Sequence, residues 1–340
     1  MIDLYILTDY KGYFGSKQKS EWYQSGMDLK RLQSLFKQEG FNPILKCFSS
    51  IDFRSESFQG KYVIYTSSED PGYYYKDYIE DVIYALHYQG ARVIPGFEFL
   101  RANNNKVFME LLRDLLPHKS IKNIRSLHYG TLEKMVESAD KITFPVVIKA
   151  AKGAMSKGVY LANDINELKR KTKKISRTSF PFKVLWELKN YIKHKGKIKL
   201  SSRFREKFVA QNFVENLNGD WKVLVFGDKY YALERKNRKN DFRASGSGIF
   251  MFDEKINNDL LDFASDVFEK FNLPNLSLDI GFNGKEYFLI EFQALYFGTK
   301  TLENSPFYFV NDNLNWKIIK GKSDLEVEYV KSISSYIKKL

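Results

Sequence analysis

The chain has few of the residues that usually identify an enzyme by its chemistry. Its 340 residues include a single cysteine, Cys47, which cannot form an internal disulfide or a cysteine-based zinc site. The four histidines are scattered, and none belongs to the H-E-x-x-H pair of zinc hydrolases. The phosphate-binding motifs G-x-x-x-x-G-K-[ST] and G-x-G-x-x-G and the nucleophile motif G-x-S-x-G are also absent. These absences argue against the most familiar nucleotide-binding and hydrolase classes.

Long apolar runs are missing as well, and the first residues do not have the pattern of a secretory leader. No apolar run approaches the roughly 18 residues that a membrane span needs. The opening residues MIDLYILTDYKGYFG contain neither the basic nor the apolar segment of a signal peptide, so we expect none. The low cysteine content fits a reducing compartment. We therefore expect a cytoplasmic protein, with a peripheral position at the inner membrane face as an open alternative.

Positive charge is concentrated in one segment. The net charge is +13, and residues 169–207 contain 15 Lys or Arg but only two acidic residues, Glu187 and Glu206. The rest of the chain has equal numbers of basic and acidic residues. We interpret 169–207 as a basic insertion, with one or two helices around apolar residues that include Trp186. It is either a solvated face or a docking surface for an anionic polysaccharide, a lipid-linked sugar acid or a membrane. No RNA-binding module signature is present, so we expect no specific nucleic acid partner.

Apolar periodicity divides the chain into two parts. Strands and helices alternate in residues 1–100, which indicates parallel βαβ units and a small open α/β domain. Later strands are mostly joined by short polar turns, which indicates antiparallel pairing. The predicted strands are 2–8, 61–66, 91–96, 144–150, 158–162, 208–214, 221–227, 230–236, 276–282 and 286–292. The predicted helices are 26–39, 77–89, 106–116, 257–272 and 325–339.

The first segment with candidate functional residues is 144–162. A strand ends at Lys149, and a second strand follows after a short loop. Glycines let backbone N–H groups approach phosphate oxygens, and lysines supply positive charge. The loop is therefore either a phosphate-binding loop or an ordinary flexible basic hairpin loop. Its candidate residues are Lys152, Gly153, Ser156, Lys157 and Gly158.

The second segment is 208–248, where a strand leads into a polar stretch and a basic antiparallel ribbon. Edge backbone groups in 211–214 can pair with an adenine, and the Asp220 carboxylate can accept hydrogen bonds from ribose hydroxyls. Arg235 and Arg243 are expected to face the same region. The alternative interpretation is a solvated charged hairpin.

The third segment, 276–293, is the most informative. Strand alternation places Asp279 on a polar face and sets Glu291 beside Gln293 on the polar face of the next strand. A carboxylate within the apolar run FLIEF is costly unless it is paired or bound to a metal. Two carboxylates and an amide oxygen suit Mg²⁺ with nucleotide phosphates; the alternative is two unrelated surface acids. The expected apolar faces are Leu278, Ile280 and Phe282 on one strand and Phe288, Ile290 and Phe292 on the other.

The register of this hairpin decides whether such a site can exist. Asn283–Gly284 favours a two-residue turn, which would pair Asp279 with Phe288 and place it on the face opposite Glu291. A shared metal site therefore requires a loop with an odd number of residues, or a β-bulge, between Asp279 and Glu291. We predict one of these two features.

Together, the three segments resemble the ATP-grasp superfamily over roughly residues 75–310, nearest to the ribosomal-protein glutamate ligase branch. The shared pattern is a strand lysine, a glycine-rich loop, a Q-x-[FY]-[IV] hinge, E-R-basic followed by D-F-R, and an Asp and Glu twelve residues apart. Here E-R-basic is 234–236 and D-F-R is 241–243. The chain departs from the family at Gln293, which replaces Asn, and at 245–248, which lacks a further Arg. Arg235 or Lys300 can compensate for that Arg.

The resemblance implies an α/β (α+β) chain with the ATP-grasp fold. An N-terminal open α/β domain would occupy 1–104. A small lobe at 105–210 would carry the basic insertion, and a C-terminal lobe at 211–340 would carry the metal site and a terminal helix. The two lobes would clasp ATP.

The resemblance also implies roles for individual residues. Two Mg²⁺ ions, which Mn²⁺ can replace, would be held by Asp279, Glu291 and Gln293, with Glu291 bridging the ions. Arg243 would face an acyl phosphate, and Arg235 is a second catalytic candidate. ATP would be bound by Lys106 and Lys149 at the α- and β-phosphates, Gly153, Ser156, Lys157 and Gly158 at the β- and γ-phosphates, Gln211, Asn212 and Val214 at adenine, and Asp220 at the ribose.

The implied activity is ATP-dependent amide formation between a carboxylate and an amine through an acyl phosphate, as in acid–amino-acid ligases. The carboxylate would belong to a small molecule or a sugar-linked group, such as a sugar acid or amino acid in surface-polysaccharide biosynthesis. Two alternatives stay open: an ATP-grasp phosphotransferase that acts on a hydroxyl, and a non-enzymatic basic binding module.

Overall fold

The computed structural model describes residues 1–17, 26–153, 157–178, 181–238, 241–243, 248–312 and 315–340, without the side chains of 181–183. The chain divides into two compact units. The first unit comprises 1–103, 118–121 and 216–340, and the second comprises 104–117 and 122–215. The division into three domains predicted from the sequence stays a prediction. Among the described residues, no helix is both long and apolar enough to cross a membrane.

The first unit begins with a four-stranded parallel sheet in the order β2-β1-β3-β4. Strand β2 lies at the edge and contains Pro43, which a strand tolerates best at an edge. This proline and the short apolar pattern explain why β2 was not predicted from the sequence. The elements are β1 (Ile2–Thr8), α1 (Leu29–Gln38), β2 (Phe41–Cys47), β3 (Tyr62–Tyr65), α2 (Tyr74–Tyr88), β4 (Arg92–Ile94) and α3 (Phe97–Ala102).

The second unit contains a four-stranded antiparallel sheet in the order β5-β8-β6-β7. Strand β5 and the short helix α5 were not predicted, and α6 begins four residues before the predicted basic insertion. The elements are α4 (Lys106–Leu115), β5 (Ser126–Tyr129), α5 (Leu132–Glu137), β6 (Val146–Ala150), β7 (Val159–Ala162), α6 (Ile165–Ser176), α7 (Pro181–Lys193) and β8 (Phe208–Asn212).

The remainder of the first unit is a seven-stranded antiparallel sheet in the order β13-β12-β9-β10-β14-β15, with β11 paired to β10. The predicted antiparallel character of this half is confirmed, although β11, β14 and β15 were not predicted. The elements are β9 (Gly219–Phe226), β10 (Lys229–Lys236), β11 (Phe250–Met251), α8 (Asn258–Phe271), β12 (Asn275–Phe282), β13 (Tyr287–Gln293), α9 (Lys300–Asn304), β14 (Phe307–Asp312), β15 (Asn315–Lys320) and α10 (Leu325–Lys339). Single 3₁₀ turns occur at Phe48–Ser50, Pro71–Tyr73, Lys119–Ile121 and Ala139–Lys141.

Each unit has its own hydrophobic core. In the first unit, one core joins a face of the parallel sheet to residues of β9, β10 and α10, and another covers the opposite face under α2. In the second unit, α5 and α6 cover the face of the antiparallel sheet that carries Ile148, Phe208 and Ala210. The other face of that sheet carries Lys149 and Gln211, since alternate residues point to opposite sides.

The hairpin of β12 and β13 contains the predicted irregularity. Phe282 pairs with Tyr287 across a four-residue loop in which Gly284 has φ +92°. Ile280 pairs with Leu289, but Asp279 pairs with Glu291, so Ile290 is the extra residue of a bulge. The predicted bulge is confirmed.

One predicted face of β13 was wrong. The bulge places Leu289, with no exposed surface, in the core beside Phe292, whereas Ile290 is half-buried. Ile290 lies instead near Gly281, where an added Cβ would lie 3.0 Å from the Ile290 Cδ1 atom. A one-residue irregularity therefore changes which apolar residues reach the core.

Candidate functional site

A row of charged side chains crosses four adjacent strands of the large sheet. Arg235 on β10 pairs with Asp220 on β9. Two residues along β9, Lys222 pairs with Asp279 on β12, which in turn pairs with Glu291 on β13. Cross-strand partners share a face, so all five side chains belong to one face of the sheet.

Arg235 bridges the two aspartates of this row. Its Nε and Nη2 atoms donate to the two carboxylate oxygens of Asp220 at 2.5 and 2.9 Å. Its Nη2 atom also lies 2.7 Å from Oδ2 of Asp279, whose Oδ1 accepts from Lys222 Nζ at 3.3 Å. Asp220 and Arg235 are buried. Two carboxylates and two cations thus form a neutral cluster, which is the arrangement that buried charges require.

The two carboxyl groups of this cluster have different pKa values. Burial alone would raise the pKa of Asp279, but the positive charges of Arg235 and Lys222 outweigh it and lower this pKa to about 2. Burial raises the pKa of Asp220 to about 6, against the opposing charge of Arg235 and with the added negative charge of Asp279. Asp279 is therefore the carboxylate that stays ionised at all ordinary pH values.

Glu291 and Gln293 complete an oxygen-rich patch next to Asp279. Both are half-buried, and the Gln293 Nε2 atom donates to Glu291 Oε1 at 3.3 Å. No group of three or more His, Cys, Asp or Glu side chains suited to a metal occurs among the described residues. Mg²⁺ commonly uses only one or two protein carboxylates and takes its other ligands from water and phosphates. The donor set of Asp279, Glu291 and Gln293 therefore fits Mg²⁺.

The second unit holds the predicted phosphate-binding residues. Lys106 opens α4, and the Asn105 side chain caps this helix by accepting from Phe108 N. Lys106 N donates to Ala151 O at 2.9 Å, and Lys106 Nζ donates to Gly153 O at 2.8 Å. Two hydrogen bonds thus join the start of α4 to the glycine-containing loop.

The loop itself needs its glycines. Gly153 has φ +121° and Gly158 has φ +75°, both in the left-handed region that disfavours other residues. A Cβ added at Gly158 would lie 2.9 Å from the Ala150 Cβ. Lys157 is exposed, and Ser156 lies outside the described residues.

The predicted adenine-binding residues lie at the end of β8. This strand is an inner strand between β5 and β6, so the backbone of Gln211 is not at a sheet edge. Asn212 is the last residue of β8, and Val214 lies beyond it. If an adenine pairs with a backbone edge here, that edge must belong to the residues that follow β8.

A buried polar network behind Gln211 was not anticipated from the sequence. The Gln211 Nε2 atom donates to Glu110 Oε1 at 3.2 Å and to Ser126 Oγ at 3.0 Å. The other oxygen of Glu110 lies 3.6 Å from Arg113 Nε, and both residues are almost completely buried. Charged residues on the inner face of α4 were the available signal, but the partner strand is distant in sequence. Lys222 was also missed, although it stands two residues after Asp220 and hence on the same face.

Two predicted catalytic residues have different surroundings. Arg235 is enclosed between carboxylates, so its position is that of a charge that orients Asp279. Arg243 is about one third exposed and pairs with Asp241 through its Nε and Nη2 atoms at 2.9 and 2.8 Å. The Lys300 amine lies 4.4 Å from the centre of the Phe250 ring. Residues 245–247 lie outside the described residues.

A protein-family model described as the RimK-like ATP-grasp domain matches residues 109–305, more than half of the chain. The chain belongs to the RimK-like ATP-grasp family. The match covers the loop after β6, the charged row on β9, β10 and β12, and the bulged hairpin. The family resemblance inferred from three short segments is thereby confirmed, and so is the predicted fold class.

Comparisons with individual proteins agree with membership of the RimK-like ATP-grasp family. The chain is 27% identical over 154 residues to alpha-aminoadipate–LysW ligase LysX from Sulfolobus acidocaldarius, which is 45% of this chain and 48% of LysX. The chain thus spans about half the length of the curated relative that it matches.

Solved structures resemble the chain over almost its full length. D-cycloserine synthetase DcsG matches with a TM-score of 0.54 and 11% identity, over 98% of this chain and 99% of DcsG. A RimK domain ATP-grasp protein from Sphaerobacter thermophilus matches with a TM-score of 0.51 and 11% identity, over 98% of this chain and 99% of that protein. The ADP complex of PurK, N5-carboxyaminoimidazole ribonucleotide synthetase, matches with a TM-score of 0.54 and 10% identity, over 98% of this chain and 77% of PurK. At such identities these matches show a common fold alone.

Proposed function

We propose that this chain is an ATP-dependent ligase that joins a carboxylate to an amine. The observation that carries the proposal is the bulged hairpin, which sets Asp279 opposite Glu291 beside Gln293 in a chain of the RimK-like ATP-grasp family. Two carboxylates and an amide on one sheet face would supply oxygen ligands for Mg²⁺ with nucleotide phosphates.

The metal ligands we propose are Asp279, Glu291 and Gln293, for two Mg²⁺ ions or for Mn²⁺ in their place. When bound, the ions would neutralise phosphate charge. Arg235 and Lys222 are positioning residues, because each donates to Asp279 from a neighbouring strand. They hold the carboxylate ionised and oriented before any metal arrives.

The nucleotide would be bound by residues from several elements. Lys106 and Lys149 would contact the α- and β-phosphates, and the backbone of the glycine-containing loop would contact the β- and γ-phosphates. The fixed contact of Lys106 with Gly153 supports this pairing of helix and loop. The remaining assignments are Ser156, Lys157 and Gly158 at the phosphates, Gln211, Asn212 and Val214 at adenine, and Asp220 at the ribose.

The Asp220 assignment is the most constrained of these. Both of its oxygens already accept from Arg235, so a ribose hydroxyl would share them. The Arg235 guanidinium then links ribose binding to the orientation of Asp279.

The reaction we propose has two steps. In the first step, a substrate carboxylate oxygen attacks the γ-phosphorus of ATP. The bond from that phosphorus to the β-γ bridging oxygen breaks, and the products are ADP and an acyl phosphate. The amine nitrogen then attacks the acyl carbon, the carbon–oxygen bond to phosphate breaks, and the nitrogen loses a proton as the amide forms. Charge neutralisation and positioning supply the catalysis, so no histidine or serine nucleophile is required. Arg243 would face the acyl phosphate after exchanging its bond to Asp241.

The substrate proposal is an acid–amino-acid ligase whose carboxylate belongs to a small molecule or a sugar-linked group. A sugar acid of surface-polysaccharide biosynthesis is the specific candidate, and the excess of positive charge in 169–207 is its support. We also propose a cytoplasmic location, with a peripheral position at the inner membrane face as the alternative.

An ADP-release assay tests the reaction. The expected result is ADP that appears with Mg·ATP only when a carboxylate and an amine are both present, chosen from a thermal-shift screen of amino acids and uronic acids. ADP that appears with a hydroxyl acceptor alone would identify a phosphotransferase. A protein with no Mg·ATP affinity would be a binding module, and the ligase proposal would be wrong.

A further inference from the structure

In the basic insertion, the segment before α7 is hydrogen-bonded to the segment that follows it. Thr178 N donates to Arg203 O at 2.9 Å, and Glu206 N donates to Ser176 O at 3.0 Å. On α7, Glu187 accepts from the hydroxyl and the backbone N–H of Ser201 at 2.7 and 3.2 Å. One side of α7 is thus held against the returning chain.

The opposite side of α7 is apolar and open. Leu185, Trp186 and Ile192 are 65%, 64% and 69% exposed, and Leu188 is 45% exposed. We call these four residues the outer face of α7. The acidic and amide residues Glu187 and Asn190, which are half-buried, take the inner side. Leu185, Leu188 and Ile192 are spaced as one stripe along the helix.

Positive charge lies beside and between these apolar side chains. Lys189 and Lys193 lie on the exposed side of α7, and Lys195, Lys197 and Lys199 follow in a stretch whose ten residues, 191–200, are all exposed. The only acidic residue between 181 and 202 is Glu187, which is on the inner side. An exposed Trp and aliphatic side chains bordered by lysines is the pattern of a helix that lies in a membrane interface.

We propose that the outer face of α7 inserts into the interfacial layer of an anionic lipid membrane. The lysine stems would lie along the apolar tails while their amines contact headgroup phosphates. Two features favour lipid over an acidic protein or polysaccharide. All basic residues from 181 to 202 are Lys, whereas protein interfaces are enriched in Arg and depleted in Lys. A polysaccharide would leave the four apolar side chains in water.

The test is co-sedimentation with lipid vesicles, using the whole chain. Vesicles of pure phosphatidylcholine are compared with vesicles of equal parts phosphatidylcholine and phosphatidylglycerol. We expect at least tenfold stronger partitioning to the anionic vesicles. The triple variant Leu185→Ser, Trp186→Ser, Ile192→Ser and the variant with Lys193, Lys195, Lys197 and Lys199 changed to Gln should each weaken it at least tenfold. The control Tyr88→Ser with Leu115→Ser, which removes two comparably exposed apolar side chains elsewhere, should leave it unchanged.

Insertion has its own readout. Brominated lipid should quench fluorescence from wild type and not from Trp186→Phe. Absence of partitioning to anionic vesicles would overturn the proposal. So would partitioning that the apolar triple variant does not alter, because this means electrostatic adsorption only. Binding to polyglutamate or polygalacturonate without vesicle binding would assign the surface to an acidic protein or polysaccharide instead.

Discussion

Asp279 and Glu291 lie directly opposite each other on neighbouring antiparallel strands, although the number of residues between them would place them on different faces of a regular hairpin with a two-residue turn. The bulge at Ile290 accounts for this, because it adds one residue to β13 without a partner on β12. The candidate metal site depends on that single irregularity, since a regular two-residue turn would turn Glu291 away from Asp279.

The register can be tested by cross-linking residues beside the site. Ser277 pairs with Gln293 in the bulged register, whereas a two-residue turn would pair Ser277 with Ile290. In a Cys47→Ser background, Ser277→Cys with Gln293→Cys should form a disulfide on oxidative refolding, because directly opposed Cβ atoms are close enough. Mass spectrometry of free thiols measures it. Preferential cross-linking of the control pair Ser277→Cys with Ile290→Cys would contradict the register.

Arg235 is expected to contribute strongly to stability. Arg235→Met would leave two carboxylates, Asp220 and Asp279, without their shared partner, and breaking such a buried group costs about 3–5 kcal/mol. Urea denaturation measures the loss. Lys134→Met, which removes an exposed ion pair with Glu137, should cost about 0–1 kcal/mol. Equal effects of the two substitutions would mean that the charged row is not a buried network.

The same variant should change how stability depends on pH. The pKa of Asp279 is lowered to about 2 in the folded protein, from an ordinary value near 3.8. Its pairing therefore contributes stability above pH 3.8, and this contribution is lost as the pH falls toward 2. In Arg235→Met the folded pKa of Asp279 should rise toward its ordinary value, so the stability that this carboxylate loses between pH 3.8 and 2 should become smaller. Carboxyl-region NMR titration that finds the Asp279 pKa unchanged would contradict this.

Much of the fold was predictable from local pattern. Alternating apolar residues identified β1, β6, β9, β10, β12 and β13, and glycine after an apolar helix marked the ends of α1 and α2. Pro43 hid β2, and helical periodicity alone could not show that the outer face of α7 is exposed. The local sequence thus predicts where helices and strands lie better than it predicts which of their faces are buried.

The candidate site was predictable only in part. A shared face for Asp279 and Glu291 could be predicted by counting residues, because strand alternation has a fixed period of two. The bridging role of Arg235 could not, because it depends on β9 lying between β10 and β12 in the sheet order. The contact of Gln211 with Glu110 likewise joins residues about one hundred positions apart. Sheet topology, rather than motif spacing, creates these contacts.

The glycine-containing loop gives a further prediction. Gly158→Ala places a side chain at φ +75° and 2.9 Å from the Ala150 Cβ, so it should cost about 1–3 kcal/mol and lower the melting temperature. Gly130→Ala, where no atom lies within 4 Å of the added Cβ and φ is not in the left-handed region, should be close to neutral. A neutral Gly158→Ala would show that the loop adopts another conformation.

The central claim is that Asp279, Glu291 and Gln293 bind Mg²⁺ with ATP. Isothermal titration calorimetry of Mg·ATP against wild type, Glu291→Gln and the control Glu286→Gln, an exposed acid in the loop of the same hairpin, tests it most directly. We predict binding by wild type that requires Mg²⁺, the same affinity in Glu286→Gln, and at least tenfold weaker affinity in Glu291→Gln with an unchanged circular dichroism spectrum. Equal Mg·ATP affinity in Glu291→Gln and wild type, or no binding by wild type, would contradict the account.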